Sequence, residues 1–409
     1  MIKFIFYPAL AIIRINPAVI AMNICMLNPF FYPYQGGTEK HILEVSKILA
    51  KKHDVTVLTS KLPNTAAYEE MNGFKIKRIP AAILYQTPHP VPPPVPISPF
   101  FITSLIQELP KHDIFHMHNR FFYNLLDVAI VKRLGRKKLL GLTLHNARLA
   151  AVDPITDFFG DFYDDFIGKQ IMNACDALAA VSADTLKNTA PKDLHPKSQV
   201  IYNGVDVNLF NPKNDEGNIR KKYNLGEDRL ILSVARLQQQ KGFVYLLAAF
   251  SEVAKEEKDV TLLILGKGPL EAQLRKYASD LGLGKSVIFI NEKITETDLT
   301  ELYAACEFFA LASVWEPFGM VFCEAMATGK PVIGTKVGGI PEILQEESGL
   351  LFEMKNAAQI KEAMLKLLRD ESLRKRMGEN ARKRVVKNFT WEQSAKGYED
   401  LYSKLDVKS

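Results

Sequence analysis

Short apolar runs of strand character alternate with helical segments along most of this sequence, and this alternation limits the fold more than any other feature. The first unit combines a strand in NICMLNPFF, a turn in YQGGTEK, a helix in HILEVSKILAKKH and a strand in DVTVLTS. Ile42, Val45 and Leu49 place apolar side chains on one face of that helix. Because strands joined through a helix run parallel with a right-handed crossover, the pattern predicts parallel sheets covered by helices.

The alternation forms two blocks separated by a stretch of different composition. Residues 203–218 are rich in Asn, Gly, Asp and Pro, which is typical of a linker. A chain of 409 residues also exceeds the usual size of one core. We therefore expect an α/β protein with two Rossmann-like doubly wound domains that face each other across a cleft, over residues 22–203 and 204–390. The predicted strands are IFHMH, LLGLTLH, ALAAVS and QVIYNG in the first block, and LILSVAR, VTLLILG, SVIFI, FFALAS and PVIGT in the second.

Two segments lie outside this alternation. The proline-rich residues 87–99 predict an extended surface loop, because proline disrupts helices and central strands. In residues 1–21 an apolar run is broken by Pro8, Arg14 and Pro17, unlike the apolar centre of a secretory signal. Met22 then opens the first strand, so we expect residues 1–21 to be a non-native upstream start or an accessory extension in preference to a membrane anchor.

Composition and charge exclude several classes of protein. A net charge of +6 without a long basic tract argues against nucleic acid as a partner and permits an anionic ligand or a membrane surface. The four cysteines are far apart and form no C-x-x-C pair, which fits free thiols in a reducing cytosol and predicts no zinc site. Since the sequence has no apolar run of about 18 residues, we expect no membrane-spanning helix.

Two cations and two glycines follow predicted strands of the second block. In SVARLQQQKGF, Arg236 lies just beyond a strand end and Lys241 directly before a helix, where cations and free N–H groups suit a diphosphate. The alternative is a pair of surface charges around a turn. In LLILGKGPL, Gly266 and Gly268 allow the backbone to approach a ligand, or else form a tight connection between strand and helix.

Two glutamates stand in the otherwise apolar stretch SVWEPFGMVFCEAMAT. Glu316 lies in a loop after a strand, and Glu324 lies within a helix that begins near Gly319. A carboxylate in so apolar a helix is unfavourable unless it is hydrogen-bonded, which weakens the alternative of a solvated helix face. The start of the helix adds N–H groups for a phosphate or a carboxylate.

These motifs together resemble a known enzyme family. R-x4-K-G, L-G-x-G-P, E-P-F-G, E-x7-E, G-K-P-V-I and V-G-G-I-P-E, in this order, are similar to the donor half of retaining, nucleotide-sugar-dependent glycosyltransferases of family 4, which have the GT-B fold. The likeness continues upstream in GGTEKH, V-S-x-D-T and N-G-V-D. It covers nearly all of the chain from Met22 to about Tyr402, and in this fold a final helix, here over about residues 391–405, crosses back to the first domain.

The resemblance implies a role for each matching residue. Glu316 would contact hydroxyls of the transferred sugar, Glu324 would hold the ribose, and Arg236 with Lys241 would neutralise the diphosphate. Gly36 and Gly37 would approach the phosphates or the acceptor, and His145 would face the donor sugar. The implied donor-binding set is Gly36, Gly37, Arg236, Lys241, Gly266, Glu316, Phe318, Gly319, Met320, Val321 and Glu324, and the implied catalytic set is His145, Glu316, Arg236 and Lys241.

The implied reaction moves a hexosyl group from a UDP- or GDP-sugar to a hydroxyl of a lipid or glycan acceptor, with retention and without a metal. The nucleotide-sugar is a co-substrate, and no cofactor is expected. Fixed cations and N–H dipoles would stabilise the departing diphosphate. A GT-B-like sugar phosphorylase, a nucleotide-sugar epimerase and a non-catalytic sugar-binding protein are the alternatives. An NAD-dependent oxidoreductase is disfavoured, because no strand is followed by G-x-G-x-x-G.

Other features leave alternatives open. His116 and His118 could bind a metal, but no third ligand is evident nearby, which favours hydrogen-bonded histidines of the core or cleft. Residues 291–294 follow a strand and are expected to select the base. The first block also carries a basic run that is either a solvated face or a contact with a membrane surface, consistent with a cytoplasmic location or the inner face of a membrane. This run consists of Lys132, Arg133, Arg136, Lys137 and Lys138.

Overall fold

The computed structural model describes residues 21–85, 94–119, 124–135, 137–146 and 154–406, so almost all of the predicted N-terminal extension lies outside the described residues. Within the described part of the first half, ten strands are present. They are β1 (Asn23–Leu27), β2 (Asp54–Ser60), β3 (Tyr68–Met71), β4 (Phe74–Ile79), β5 (Ala82–Leu84), β6 (Val95–Ile97), β7 (Ile114–His118), β8 (Leu139–Leu144), β9 (Ala177–Ala180) and β10 (Ser198–Val200).

Eight of these strands form the first sheet, in the order β10-β9-β8-β7-β1-β2-β4-β3. Their pairings are parallel except for β3 with β4, which run antiparallel. The chain proceeds from β1 towards β2 on one side and from β7 towards β10 on the other. The order of strands therefore reverses between β1 and β7, and a ligand site is expected outside the carboxyl ends of these two strands.

The second sheet has six parallel strands in the order β13-β12-β11-β14-β15-β16, and its order reverses between β11 and β14. This repeats the doubly wound arrangement of the first sheet. The predicted α/β class with two doubly wound sheets is confirmed. The strands are β11 (Arg229–Val234), β12 (Val260–Leu265), β13 (Val287–Ile290), β14 (Cys306–Leu311), β15 (Val332–Thr335) and β16 (Gly349–Phe352).

Helices connect the strands, and none in the described part of the chain is long and apolar enough to cross a membrane. In the first half they are α1 (Gly37–Leu49), α2 (Phe101–Glu108), α3 (Asn124–Leu134), α4 (Pro154–Tyr163), α5 (Lys169–Ala174) and α6 (Ala183–Thr189). The later helices are α7 (Ile219–Lys222), α8 (Phe243–Glu256), α9 (Glu271–Asp280), α10 (Glu296–Ala305), α11 (Met320–Ala327), α12 (Ile340–Ile343), α13 (Ala357–Arg369), α14 (Glu371–Asn388) and α15 (Trp391–Asp406).

Both faces of the first sheet are buried, because successive residues of a strand point to opposite faces. Cys25 and Leu27 pack in a cluster that includes apolar residues of α2, α3 and α5. Ile24 and Met26 pack in a different cluster with residues of α1 and α15. The strands therefore read as continuous apolar runs, as expected for a parallel sheet covered on both sides.

The last helix, α15, packs against α1 and thus against the first sheet, although it follows the second sheet in sequence. Trp391, Tyr398 and Tyr402 are its buried aromatic residues, each at most 2% exposed. The chain passes from the second sheet to this helix beside the linker, where Val205 and Thr390 form an isolated bridge. We refer to the first sheet with its helices and α15 as the first lobe, and to the second sheet with its helices as the second lobe.

Several elements differ from the sequence predictions. Helix α1 begins at Gly37, before the predicted HILEVSKILAKKH segment, and β10 ends at Val200, ahead of the predicted end. The proline-rich segment lies partly outside the described residues, but its Val95–Ile97 part pairs antiparallel with Ala82–Leu84 as β6 and β5, so the prediction of a loop is wrong there. The hairpin β3–β4 was missed, although its Asn72-Gly73 turn, with both φ values positive, is a common hairpin signal.

Candidate active site

The predicted site residues lie at the two points where strand order reverses. Gly36 and Gly37 follow β1, Arg236 follows β11, and Glu316 follows β14. The two lobes approach each other here, because the Nη2 atom of Arg236 lies 3.7 Å from the position of a Cβ built on Gly36. The structure therefore brings the glycine turn of the first lobe and the polar loops of the second lobe together.

Glu316 is buried in the loop between β14 and α11, with 8% of its surface exposed. Its Oε2 atom accepts hydrogen bonds from Lys241 Nζ at 2.7 Å and from Ser313 Oγ at 3.2 Å. Gly339, the residue before α12, holds this loop in place, because its backbone N–H donates to the Glu316 carbonyl at 3.1 Å. Gly338 has φ +54°, and a Cβ there would overlap the same carbonyl, so glycine is required for this approach.

Glu324 is also buried, with 6% of its surface exposed, so a solvated helix face is the wrong interpretation of this residue. The hydroxyl of Tyr303, on α10, donates to its Oε2 atom at 3.0 Å. Lys40, on α1 of the first lobe, donates to its Oε1 atom at 2.9 Å. Each carboxylate oxygen thus has a donor, as the sequence argument required. Sequence reasoning missed both donors, although Lys40 lies within the GGTEKH motif.

The two predicted cations have different surroundings. Lys241 ends a short 3₁₀ turn before α8, and Gly242 follows it with φ +63°. Arg236 is exposed. Its charge still acts on the first lobe: burial raises the pKa of Glu39, while hydrogen bonds and the positive charge of Arg236 oppose this shift. Arg236 therefore lies at the open side of the site, and Lys241 lies deeper, against Glu316.

The glycines after β12 form a tight connection. A Cβ on Gly266 would overlap the carbonyl oxygen of Ala235, and a Cβ on Gly268 would overlap the backbone of Leu237. The Leu237 N–H donates to the Lys267 carbonyl at 2.9 Å in the same region. These glycines therefore pack directly against the loop that carries Arg236, which agrees with the structural interpretation of this turn.

The start of α11 faces the first lobe. Gly319 is the residue before the helix, with φ +105°, and Phe318 is buried beneath it. Met320 Cε lies 3.5 Å from a Cβ position built on Gly37. Val321 is partly exposed in the first turn of the helix. Of the predicted donor-binding residues in this segment, Met320 therefore lies against the glycine turn of the first lobe.

His145 follows β8 and belongs to a cluster of buried histidines. Its Nε2 atom is 2.9 Å from Nδ1 of His118, and its ring centroid is 4.7 Å from that of His41. Burial holds the pKa values of His118 and His145 well below the usual range. Because both rings are neutral at physiological pH, one of them donates and the other accepts in this hydrogen bond.

Hydrogen bonds connect the histidine cluster to α15 and to the linker. His41 bonds to Asn203 Oδ1 at 2.7 Å and to the Tyr398 hydroxyl at 2.8 Å. The Tyr398 hydroxyl also lies 2.8 Å from Thr143 Oγ1, which in turn is 2.7 Å from His116 Nε2. Burial lowers the pKa of His41 to about 4 and that of His116 to about 3.

Contrary to the expectation from the sequence, further potential metal ligands lie near His118. Ring nitrogens of His41, His118 and His145 lie within 4.8 Å of one another. Both ring nitrogens of His41 nevertheless have protein partners, Asn203 and Tyr398. The hydrogen bonds at the described residues therefore account for His41 without a metal ion, as the alternative of hydrogen-bonded histidines requires.

A second contact between the lobes lies beside the site. The Glu342 carboxylate accepts hydrogen bonds from the backbone N–H groups of Ala183 at 2.8 Å and Asp184 at 2.9 Å, at the start of α6. Ser182 Oγ donates to the Pro317 carbonyl at 2.7 Å. The V-S-x-D-T and V-G-G-I-P-E motifs therefore meet across the cleft, which their separation in sequence concealed.

Two doubly wound lobes with polar loops at facing switch points have the architecture of the GT-B fold. Two protein-family models match the chain. The model described as Glycosyl transferases group 1 matches residues 215–384, and the model described as Glycosyltransferase Family 4 matches residues 35–209. N-acetyl-alpha-D-glucosaminyl L-malate synthase of Bacillus anthracis is 26% identical over 390 residues, which cover 91% of this chain and 94% of that protein. The chain belongs to the family 4 type of glycosyltransferases.

Solved structures support the same fold. Sucrose-phosphate synthase from Thermosynechococcus elongatus superimposes with a TM-score of 0.77 and 23% identity, covering 95% of this chain and 100% of that one. Anabaena HepE in complex with UDP and glucose gives a TM-score of 0.73 and 20% identity, covering 93% of this chain and 99% of that one. At this level of identity the likeness establishes the fold.

Proposed function

We propose that this glycosyltransferase moves a hexosyl group from a UDP- or GDP-sugar to a hydroxyl acceptor, with retention and without a metal ion. The second lobe, residues 204–390, would bind the donor, and the first lobe, residues 22–203 with α15, would bind the acceptor. The observation that carries the proposal is the pairing of Lys241 with the buried Glu316 at 2.7 Å, opposite the glycine turn. A structural relative, HepE, is described in complex with UDP-glucose, which supports a nucleotide-sugar donor.

The proposed roles follow from position and charge. Glu316 accepts from sugar hydroxyls, Glu324 accepts from the ribose, and Lys241 with Arg236 neutralises the diphosphate as it leaves. Cations held in place stabilise the charge that develops on the leaving group, because they need no reorganisation during the reaction. Gly36 and Gly37 allow the first lobe to approach the phosphates, and N–H groups at Gly319, Met320 and Val321 add donors at the helix start.

Neither glutamate is proposed as a nucleophile. Both carboxylates already accept hydrogen bonds from fixed donors, Lys241 and Ser313 for Glu316, and Lys40 and Tyr303 for Glu324. Such partners orient a carboxylate for recognition of hydroxyl groups. The base that removes the acceptor proton is then a phosphate oxygen of the leaving group. His145, held neutral beside His118, would contact the donor sugar from the first lobe.

We propose that the acceptor is presented at an anionic membrane surface. Phe158, Phe159, Phe162 and Phe166 are between 51% and 66% exposed, along α4 and the π-helical turn that continues it. This segment leads into α5, which packs against α3, the helix that begins the basic run. Exposed aromatic residues on a segment that continues into α5, which packs against the helix carrying Arg133, suit an interface with anionic lipids.

Two lysines of the basic run have carboxylate partners. Lys132 donates to Asp176 at 2.6 Å, and Lys138 lies 3.8 Å from Asp113, so both are partly neutralised. Arg136 lies outside the described residues.

Co-sedimentation with vesicles of phosphatidylcholine, with and without phosphatidylglycerol, tests the proposed membrane contact. We expect binding that needs the anionic lipid and is lost in Phe158→Ser/Phe162→Ser, and binding that is equal to both vesicles would contradict the proposal.

The enzymatic proposal is tested by incubating the purified protein with UDP- and GDP-sugars. We expect one of them to release its nucleoside diphosphate, and Glu324→Ala or Lys241→Met to abolish the release. Release of sugar 1-phosphate from an added glycan and inorganic phosphate, without any nucleotide-sugar, would favour a phosphorylase, and a changed sugar without diphosphate release would favour an epimerase. A thermal shift with one nucleotide-sugar but no turnover with any acceptor would favour a sugar-binding protein.

A further inference from the structure

Lys40 reaches from the first lobe into the part of the second lobe where Glu324 lies. It stands in the first turn of α1, three residues after Gly37, and its Nζ atom is 2.9 Å from Glu324 Oε1. The side chain of Glu324 is 7% exposed and that of Lys40 is 37% exposed, so the lysine covers the carboxylate from the solvent side. Lys40 Nζ also lies 5.7 Å from the ring centroid of Phe210.

We propose that Lys40 is a donor-positioning residue supplied by the opposite lobe: it fixes the Glu324 carboxylate for the ribose and couples donor binding to closure of the two lobes. The inference rests on the proposed function of Glu324. It adds a residue of the first lobe to a donor site otherwise built from the second.

The Glu324 carboxylate can accept more hydrogen bonds than Lys40 and Tyr303 donate to it. An ionised carboxylate has about four acceptor positions, and Lys40 and Tyr303 occupy one on each oxygen. About two positions remain for the vicinal hydroxyls of a ribose. Lys40 and the ribose therefore bind the same carboxylate together and do not exclude one another.

The charge of Lys40 explains why the two lobes would be coupled. A carboxylate as buried as Glu324 is unfavourable without a cation or several donors. The Glu324 charge raises the pKa of Lys40, which keeps the lysine protonated. If the lobes separate, the carboxylate loses its cation and, among the described residues, keeps Tyr303 as its side-chain donor. A ribose bound to Glu324 is therefore held most tightly when the first lobe is docked.

The test compares Lys40→Met with Lys47→Met. Lys47 lies on the same helix and pairs with Glu44 at 3.5 Å, with 45% of its side chain exposed. Calorimetry measures the Kd of UDP or GDP, whichever the wild type binds more tightly, and of the corresponding 2′,3′-dideoxynucleotide. We expect Lys40→Met to weaken the ribonucleotide about ten- to hundredfold, the effect of one charge-assisted hydrogen bond, and to leave the dideoxynucleotide nearly unchanged.

Two further variants separate positioning from damage to the fold. Lys40→Arg should restore most of the affinity, because it keeps a cation within reach of Glu324. In a Glu324→Gln background, Lys40→Met should add little, since the two residues then act on one interaction. Small-angle X-ray scattering should show that the same nucleoside diphosphate decreases the radius of gyration of the wild type more than that of Lys40→Met.

Each result decides the inference. Equal weakening of ribonucleotide and dideoxynucleotide would overturn it, as would an unchanged Kd in Lys40→Met or the same loss in Lys47→Met. Tighter binding of the ribonucleotide would also overturn it, because Lys40 would then compete with the ribose. A wild type that binds neither diphosphate would instead contradict the proposed function, so the two failures are distinguishable.

Discussion

Lys241 and Glu316 form an ion pair of 2.7 Å within the second lobe, so the cation that we propose for the diphosphate and the carboxylate that we propose for the sugar neutralise each other. The side chains are 22% and 9% exposed, and the pair is therefore largely removed from solvent. Removing one member leaves the other charge without its partner, which is more unfavourable than removing both.

We therefore expect Lys241→Met to lower both turnover and the free energy of unfolding, the latter by about 1–3 kcal/mol. The double variant Lys241→Met/Glu316→Gln should recover stability but remain inactive. Urea unfolding and diphosphate release measure the two effects. Lys255→Met, which breaks the exposed pair with Glu252, is the control and should change neither. A double variant no more stable than Lys241→Met would contradict the argument.

Gly36→Ala tests the close approach of the glycine turn. The new Cβ would overlap the Glu39 carboxylate and would lie 3.7 Å from Arg236. The Glu39 side chain has to move, so we expect weaker binding of the donor diphosphate with little change in stability. Gly284→Ala is the matched control, because no atom lies within 4 Å of its Cβ position. Equal diphosphate affinity in both variants would show that the turn tolerates a side chain.

Tyr398→Phe tests the network beneath the cleft. The substitution removes a hydroxyl that is 2.8 Å from both His41 and Thr143, and it leaves a buried ring nitrogen without a partner. We expect a loss of about 1–3 kcal/mol in the free energy of unfolding. Tyr402→Phe is the control on the same helix, because the Tyr402 hydroxyl has no hydrogen-bond partner among the described residues. Similar losses in both variants would argue against the network.

The buried histidines predict a stability that depends on pH. Burial depresses the pKa of His41 from 6.5 to about 4 and that of His116 from 6.5 to about 3. Below pH 6.5 the unfolded chain binds protons that the folded chain does not, so stability falls as pH falls from 6.5 towards these values. Each such histidine contributes about 1.4 kcal/mol per pH unit.

His116→Gln checks this origin of the acid sensitivity. Gln keeps a polar group near Thr143 but does not titrate. Between pH 6.5 and 5, we expect the average slope of the free energy of unfolding against pH to decrease by about 1 kcal/mol per unit relative to the wild type. Denaturant unfolding at several pH values gives this slope. Parallel curves for the two proteins would mean that other groups cause the sensitivity.

Sequence patterns located most of the sheets but not all of their edges. The bounds of β2 and β7 were predicted closely, because each is an apolar run that ends at a turn or at polar residues. Strand β4 was missed because FKIKRI mixes charged with apolar residues, and strand β3 was missed because YEEM is a short edge strand with two consecutive glutamates. The central strands are apolar on both faces and therefore stand out in the sequence.

In the candidate site, too, some features could be predicted from the sequence and others could not. Glu316, Glu324 and Lys241 could be selected because an ionisable residue in an apolar or glycine-rich segment is conspicuous by itself. Their partners depend on how distant segments meet. Lys40 and Glu324 are 284 residues apart, and Glu342 and Ala183 are 159 apart. No local pattern predicts these residue pairs. They form because two lobes, each built around its own sheet, pack against each other.

The crossing helix α15 also affects the order in which the chain can mature. Trp391, Tyr398 and Tyr402 complete a core that includes residues of β1, β2 and α1, near the opposite end of the sequence. During synthesis on a ribosome, the first lobe emerges early but keeps an uncovered apolar face until α15 has emerged as well. The second lobe does not depend on α15 in this way. Completion of the first lobe therefore requires that the second lobe has already been synthesised, and a chain that ends before Trp391 exposes the apolar face to chaperones and proteases.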